Sequence, residues 1–311
     1  MTAKPPGYWF IAIFISILGA VCFSTKAIFV KLAYRDSAVD SITLLALRMI
    51  FSLPFFIGAA VVSSRKKSNI RFNSKQWVYV AAIGCLGYYV SSYLDFVGLQ
   101  FISAGIERLI LFTYPTFVVL ISFFWFKEKV TWRQKLALLI TYLGLVIAFI
   151  SEARFNISGK DFYLGSACIL VCAFTYATYI AGSGRLIPTI GSVKFNSYAM
   201  SFACVGVLVH FIIGSSHSLF GLPMIVYVYS LFMAIISTVI PSYLVSISLN
   251  RLGANNTAII ACIGPVSTIL QAYYFLDEKI SALQWLGTVF IVGGILMISW
   301  RNKAAEKIGS I

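Results

Sequence analysis

The chain has 311 residues, 60% of them hydrophobic and only 11% charged, with a mean hydropathy of +0.91. Soluble domains carry about 25% charged residues, so this composition excludes a water-soluble globular protein and points to an integral membrane one. A formal charge of +14 would suit nucleic acid or a membrane surface, but the basic residues sit in short segments between apolar stretches, so they read as topology signals and no nucleic-acid partner is expected.

A helix needs about 20 apolar residues to cross a bilayer. Ten stretches meet that need: 8–30, 41–62, 77–98, 103–126, 133–151, 162–183, 193–214, 223–248, 254–276 and 283–300. The first is longer than the apolar region of a signal peptide and reads as a span rather than a cleaved leader. Lys and Arg bias then orients the chain. With the N-terminus inside, sixteen of the 24 basic residues fall in inner segments, five in outer segments, and Lys26, Arg48 and Arg108 within spans. Both termini are therefore expected on the cytoplasmic side of a plasma (inner) membrane.

A repeat emerges at a shift of 150 residues. "SSYLDFVGL" at 91–99 meets "PSYLVSISL" at 241–249, Pro115 meets Pro265, "KEK" at 127–129 meets "DEK", Gln134 meets Gln284, and Gly144 meets Gly294. Five helices per copy is an odd number, so the second copy enters the membrane with opposite polarity. Inverted repeats are a plan of secondary transporters, whose solutes bind near the interface of the halves. The expected fold is all-α and integral to the membrane, with ten transmembrane helices as two inverted five-helix repeats. The repeats span 1–151 and 152–300, and 301–311 forms a cytoplasmic tail.

These features resemble the EamA-type family of the drug/metabolite transporter superfamily. The resemblance rests on the 5+5 plan, on Pro115/Glu128 and Pro265/Glu278 closing helices 4 and 9, on "LALRMIFSLP" in helix 2, and on "GLVIAF" and "GGILMI" in helices 5 and 10. It implies a basket of helices around a central cavity, and small organic solutes moved outward or exchanged.

Charged residues inside spans are costly and mark functional positions. Lys26, Arg48, Asp95, Glu107 and Arg108 come from four helices of the first half and fall within roughly 10 Å of depth at 1.5 Å per residue. They are expected to face the bundle interior. Neighbours on a helix do not face each other, so Glu107 is expected to pair with Lys26 or Arg48, and Asp95 with Arg108. Three cations against two anions leave one cation over. That cation either meets an anionic group of the solute or belongs to a bracing network in which Lys26 snorkels outward. In a third reading, Asp95 or Glu107 couples protons. Lys26, Arg48, Arg108, Tyr88, Tyr114 and Gln271 are the substrate-binding candidates. Asp95 and Glu107 are the proton-coupling or salt-bridge candidates. Pro115 and Pro265 remove backbone hydrogen bonds mid-helix and are expected to make gating kinks.

Enzyme chemistry finds no constellation here. There are two histidines, and the six cysteines lie in apolar runs without ligand spacing. No metal, cofactor or disulfide is expected. The largest inner loop is too short for a nucleotide domain, so energy must come from a gradient or from exchange. The sequence thus reads as a secondary carrier, a probable exporter of a small polar or anionic metabolite such as an amino acid. Its partners are the solute, the lipid bilayer and, in the coupled reading, protons. A non-transporting lipid-handling or regulatory membrane protein is the alternative.

Overall fold

The computed structural model describes residues 8–65, 72–102, 104–149, 160–215, 218–275 and 281–299. Glu278, Arg154, His217, Trp300 and the tail 301–311 lie outside the described residues. The described chain is helical: α1 (Tyr8–Asp36), α2 (Ser41–Arg65), α3 (Ser74–Phe101), α4 (Ala104–Leu111), α5 (Tyr114–Phe124), α6 (Trp132–Phe149), α7 (Lys160–Ile190), α8 (Ser192–Gly214), α9 (Met224–Leu252), α10 (Ala254–Phe275) and α11 (Ala282–Ser299). Apolar runs become helices because hydrocarbon offers backbone amides no other partner. Their starts are set by polar side chains. Asn73 accepts from the Gln76 amide while Gln76 accepts from the Asn73 amide, at 2.8 and 3.0 Å. Thr131 with Gln134, and Ser281 with Gln284, close the same reciprocal box at the heads of α6 and α11, satisfying amides a helix start leaves bare.

Seven of the described helices are long and apolar enough to cross a membrane. The others fall short for visible reasons. The fourth expected span is split at Phe112–Thr113 into α4 and α5, and α6 opens with Arg133 and Lys135 in 18 residues. The outward faces are greasy: Phe124, Trp125, Ile213 and Met224 are all more than 70% exposed, as lipid contact requires.

Helical irregularities recur at one spacing. A π-helical turn at Cys85–Val90 interrupts α3, and another at Ile235–Val239 interrupts α9, starting 150 residues later. The α4–α5 break is matched by a 3₁₀ turn at Ala261–Ile263 inside α10. Pro115 and Pro265 therefore do not bend continuous helices, as the sequence led one to expect. Each is the second residue of a segment that restarts after a break, where a missing N–H costs nothing. The Thr113 carbonyl left at the break accepts from the Thr116 amide at 3.1 Å.

Packing follows a consistent scheme. α2 lies against α8 and α6 against α11, while α1 packs on α9 and α10 and α7 on α3 and α5. Glycines permit the closest of these approaches. A Cβ on Gly294 would sit 2.8 Å from the Ala137 carbonyl oxygen, and one on Gly87 would sit 2.3 Å from the Tyr179 Cβ. Gly87→Val is therefore expected to lower the thermal midpoint of the detergent-purified protein, at a cost of about 1–3 kcal/mol. Gly58 has no neighbour within 4 Å of a built Cβ, so Gly58→Ala should leave the midpoint unchanged or raise it by removing a helix-weakening glycine.

Candidate functional site

The five charged side chains meet inside the bundle. Lys26 on α1, Arg48 on α2, Asp95 on α3, and Glu107 and Arg108 on α4 are each at most 3% exposed. Lys26 Nζ lies 2.8 Å from Asp95 Oδ2. Arg108 Nε lies 3.0 Å from Glu107 Oε2. The expected pairing is thus corrected: Asp95 takes Lys26, not Arg108, and Glu107 takes its own neighbour. α4 is short and packed by α3, α7 and α10, so both of its charged residues are interior. Buried on all sides, the long guanidinium folds sideways to the nearest carboxylate. Lys26 does not snorkel outward, because its ammonium is spent on Asp95 and on the face of Phe23, 4.9 Å away. Asp95 and Glu107, the two carboxyl groups of the cluster, are both fully buried.

Arg48 is the cation left over. Among the described residues no carboxylate pairs with it, and its Nε and Nη2 atoms make no hydrogen bond. Its guanidinium rests over the Phe96 ring at 4.8 Å. Such a cation–π contact offsets only part of a buried charge's desolvation.

The second half of the chain joins the cluster through hydroxyls. Ser24 on α1 donates to Ser267 on α10 at 2.9 Å, and the Gln271 amide nitrogen donates to Ser24 and Ser267 at 3.0 and 2.7 Å. Arg108 Nη2 donates to the Ser24 carbonyl at 3.4 Å. Gln271 is thereby brought to the site, as its sequence position led us to expect. Tyr88 is buried on α3, and the Tyr114 hydroxyl donates to the Ala258 carbonyl across the halves at 3.3 Å.

Aromatic rings close over this centre. Phe23 stacks on Tyr176 at 5.7 Å, Tyr114 meets Tyr176 edge-on at 5.2 Å, and Tyr88 meets Tyr179 edge-on at 4.9 Å. A cavity of about 30 Å³ beside Arg108, walled by Phe23, Phe112, Tyr114 and Tyr176, has room for about one or two waters. Phe112 at the α4–α5 break presses on Gly264 at the α10 break, where a Cβ would lie 2.5 Å from the ring. The two breaks bearing Pro115 and Pro265 therefore touch. Gly264 makes this close contact possible.

A family model described as the EamA-like transporter family matches residues 10–150 and again 163–300. The chain belongs to the EamA-like transporter family. An uncharacterized transporter of Bacillus subtilis, YcbK, is 29% identical to this EamA-like protein over 91% of the chain and 89% of its own length. An uncharacterized inner membrane transporter of Salmonella typhimurium, YicL, is 21% identical over 92% and 94%. A solved crystal structure aligns with a TM-score of 0.72 at 20% identity, covering 92% of this chain and 96% of that one, and so shares the fold. This EamA-like protein is accordingly a multi-pass membrane protein with a transporter role, as its composition and repeat led us to expect.

Sequence reasoning missed Ser24, Ser267, Phe96 and Phe112. The run Ser24-Thr25-Lys26 inside an apolar helix was a signal for the first. A separate buried knot also went unseen, in which Asn196 donates to Ser242 at 3.0 Å and accepts from Ser246 at 3.2 Å. His210 packs edge-on against Tyr93 at 4.7 Å. The six cysteines are free thiols.

Removing one partner of a buried pair strands the other, at about 3–5 kcal/mol. Lys26→Met is therefore expected to destabilise the EamA-like protein strongly, and Lys26→Met with Asp95→Leu to recover most of that loss. Arg48→Met leaves two balanced pairs behind, so it should hold or raise stability. Thermal unfolding of the four proteins in detergent, wild type included, checks the set. A strong loss in Arg48→Met would make Arg48 a brace.

Proposed function

We propose that this protein is a secondary-active carrier, an exporter of a small polar or anionic metabolite such as an amino acid, working by alternating access. The observation that carries the reading is the buried cluster with one cation more than its anions, enclosed by helices of both halves. A structural brace has no use for an unmatched guanidinium, whereas a solute seat does. Lys26, Arg48, Arg108, Tyr88, Tyr114 and Gln271 are the solute-facing set in this reading.

The fold is read as ten transmembrane helices in two inverted repeats, 1–151 and 152–300, with both termini and the 301–311 tail cytoplasmic. α4 and α5 together make the fourth span in this reading. Several observations support it. The π turns and helix breaks recur after 150 residues. The packing scheme maps onto itself when the halves are exchanged: α1 on α9 answers α7 on α3, α1 on α10 answers α7 on α5, and α2–α8 and α6–α11 answer themselves. The family model also matches twice along the chain.

In this reading the structure is a closed state, because the cavity at the cluster, about 30 Å³, is too small for a metabolite. Pro115 and Pro265 sit where the two broken helices touch, so movement about those breaks opens the seat to one side or the other. Asp95 and Glu107, two buried carboxyls of the same cluster, are the place for a coupling proton.

Proteoliposomes loaded with a metabolite mixture test the proposal, with efflux followed by mass spectrometry. At least one small polar or anionic solute should leave faster than from protein-free vesicles, and an imposed pH gradient should change its initial rate. Glu107→Gln should lose the response to the gradient. Pro115→Ala with Pro265→Ala should slow turnover about tenfold. Absence of protein-dependent flux for every solute would sink the carrier reading.

A further inference from the structure

We infer that the groove between the head of α6 and the tail of α11 is a binding site for one anionic phospholipid. The inference goes beyond the carrier reading and takes from it only the side of the membrane on which these helix ends lie, the cytoplasmic one.

α6 and α11 run antiparallel in close contact. A Cβ on Gly294 would lie 2.8 Å from the Ala137 carbonyl oxygen, and one on Gly144 2.6 Å from that of Gly287. The head of α6 therefore lies beside the tail of α11. There Arg133, Gly293, Leu296 and Met297 line a groove of about 510 Å³. Its floor is apolar and open: Leu296 is 55% exposed, and a Cβ on Gly293 would have no neighbour within 4 Å.

The duplication sets this place apart from its counterpart. At the shift of 150, Gly293 answers Leu143 and Arg133 answers Leu283. The other end of the helix pair thus carries one leucine where the groove is empty and another where it is charged. The run "KEKVTWRQK" at 127–135 holds four exposed basic residues, Lys127, Lys129, Arg133 and Lys135. Its one acid, Glu128, is held by Arg185 at 3.1 Å. The counterpart "DEKISALQW" at 277–285 has two acids and one base.

An apolar trough that ends at a basic cluster matches an acyl chain joined to a phosphodiester. Clusters of Lys and Arg beside a span attract the anionic lipids of a cytoplasmic leaflet, and a guanidinium can bond two phosphate oxygens at once. A second copy docked here about a twofold axis would set the same basic residues against themselves. A soluble anion would leave the trough uncovered.

Native mass spectrometry of the detergent-purified protein tests the site, with phosphatidylglycerol and phosphatidylcholine of equal chain length at equal concentration. Wild type should retain one phosphatidylglycerol per chain in preference to phosphatidylcholine by about fivefold or more. Glycerol 3-phosphate, the headgroup without chains, should not displace it. Gly293→Leu fills the trough and should abolish the preference, while its lipid-free thermal midpoint stays that of wild type. Arg133→Gln should cut phosphatidylglycerol retention about fivefold and leave phosphatidylcholine unchanged, and it decides the matter should Gly293→Leu lose stability. The inference is overturned if wild type retains the two lipids equally, if glycerol 3-phosphate displaces the lipid, or if either folded variant retains phosphatidylglycerol as wild type does. It is also overturned if Gly293→Leu turns a dimer into a monomer, which would make this face an interface between copies. Solute flux does not enter these readouts, so failure of the carrier reading and failure of the lipid site are told apart.

Discussion

Burial of charge without water governs this structure. Five ionisable side chains sit in the interior of an apolar helix bundle, where desolvation of an isolated ion costs several kcal/mol even after relaxation. Such groups persist only when they satisfy one another. Lys26 with Asp95 and Glu107 with Arg108 do so at 2.8 and 3.0 Å; the first contact ties α1 to α3, and the Arg108 bond to the Ser24 carbonyl ties α4 to α1. The arrangement leaves Arg48 over, and the imbalance is local to the first half. The positions a shift of 150 later, Val245, Thr257 and Ala258, carry no charge. The second half contributes hydroxyls, an amide and a backbone carbonyl instead.

The breaks in the helices matter because of where they fall. A continuous helix turns all its backbone groups inward on itself, so it has nothing to offer a ligand and little freedom to bend. The interruptions at Phe112–Thr113 and Ala261–Ile263 change both properties in the middle of the bundle. Phe112 against Gly264 makes the two interruptions a single contact, so motion of one is felt by the other. Tyr142, whose hydroxyl reaches Thr113 and Thr116, ties the first break to α6. Inter-helical hydroxyl contacts of this kind are each modest in a membrane protein, and a bundle held by them is able to rearrange without breaking its backbone ladder.

Much was legible in the residues. Composition alone required a membrane protein, and the apolar runs located the helices to within a few residues. The π turns and breaks, which the residues did not announce, recur at the same shift of 150. The cost of charge in hydrocarbon made it safe to expect Lys26, Arg48, Asp95, Glu107 and Arg108 to gather inside. Spacing could not assign partners. The rule that successive helical positions diverge misled for Glu107 and Arg108, because it describes Cβ directions. A long guanidinium bends back when α4 is enclosed on several sides. The proline rule likewise assumed an unbroken helix around Pro115 and Pro265, and the chain instead stops and restarts there.

The sequence by itself determined the class of protein, the helical segments, the duplication and the surplus of one buried cation, since each follows from local composition or from counting. Only the tertiary structure decided which cation is surplus. That choice depends on which side chains are within about 3 Å of one another once four helices are packed. The place of Arg48 over the Phe96 ring and the closure of the rings over the cluster are likewise properties of distance between segments far apart in the chain, and no residue spacing contains them.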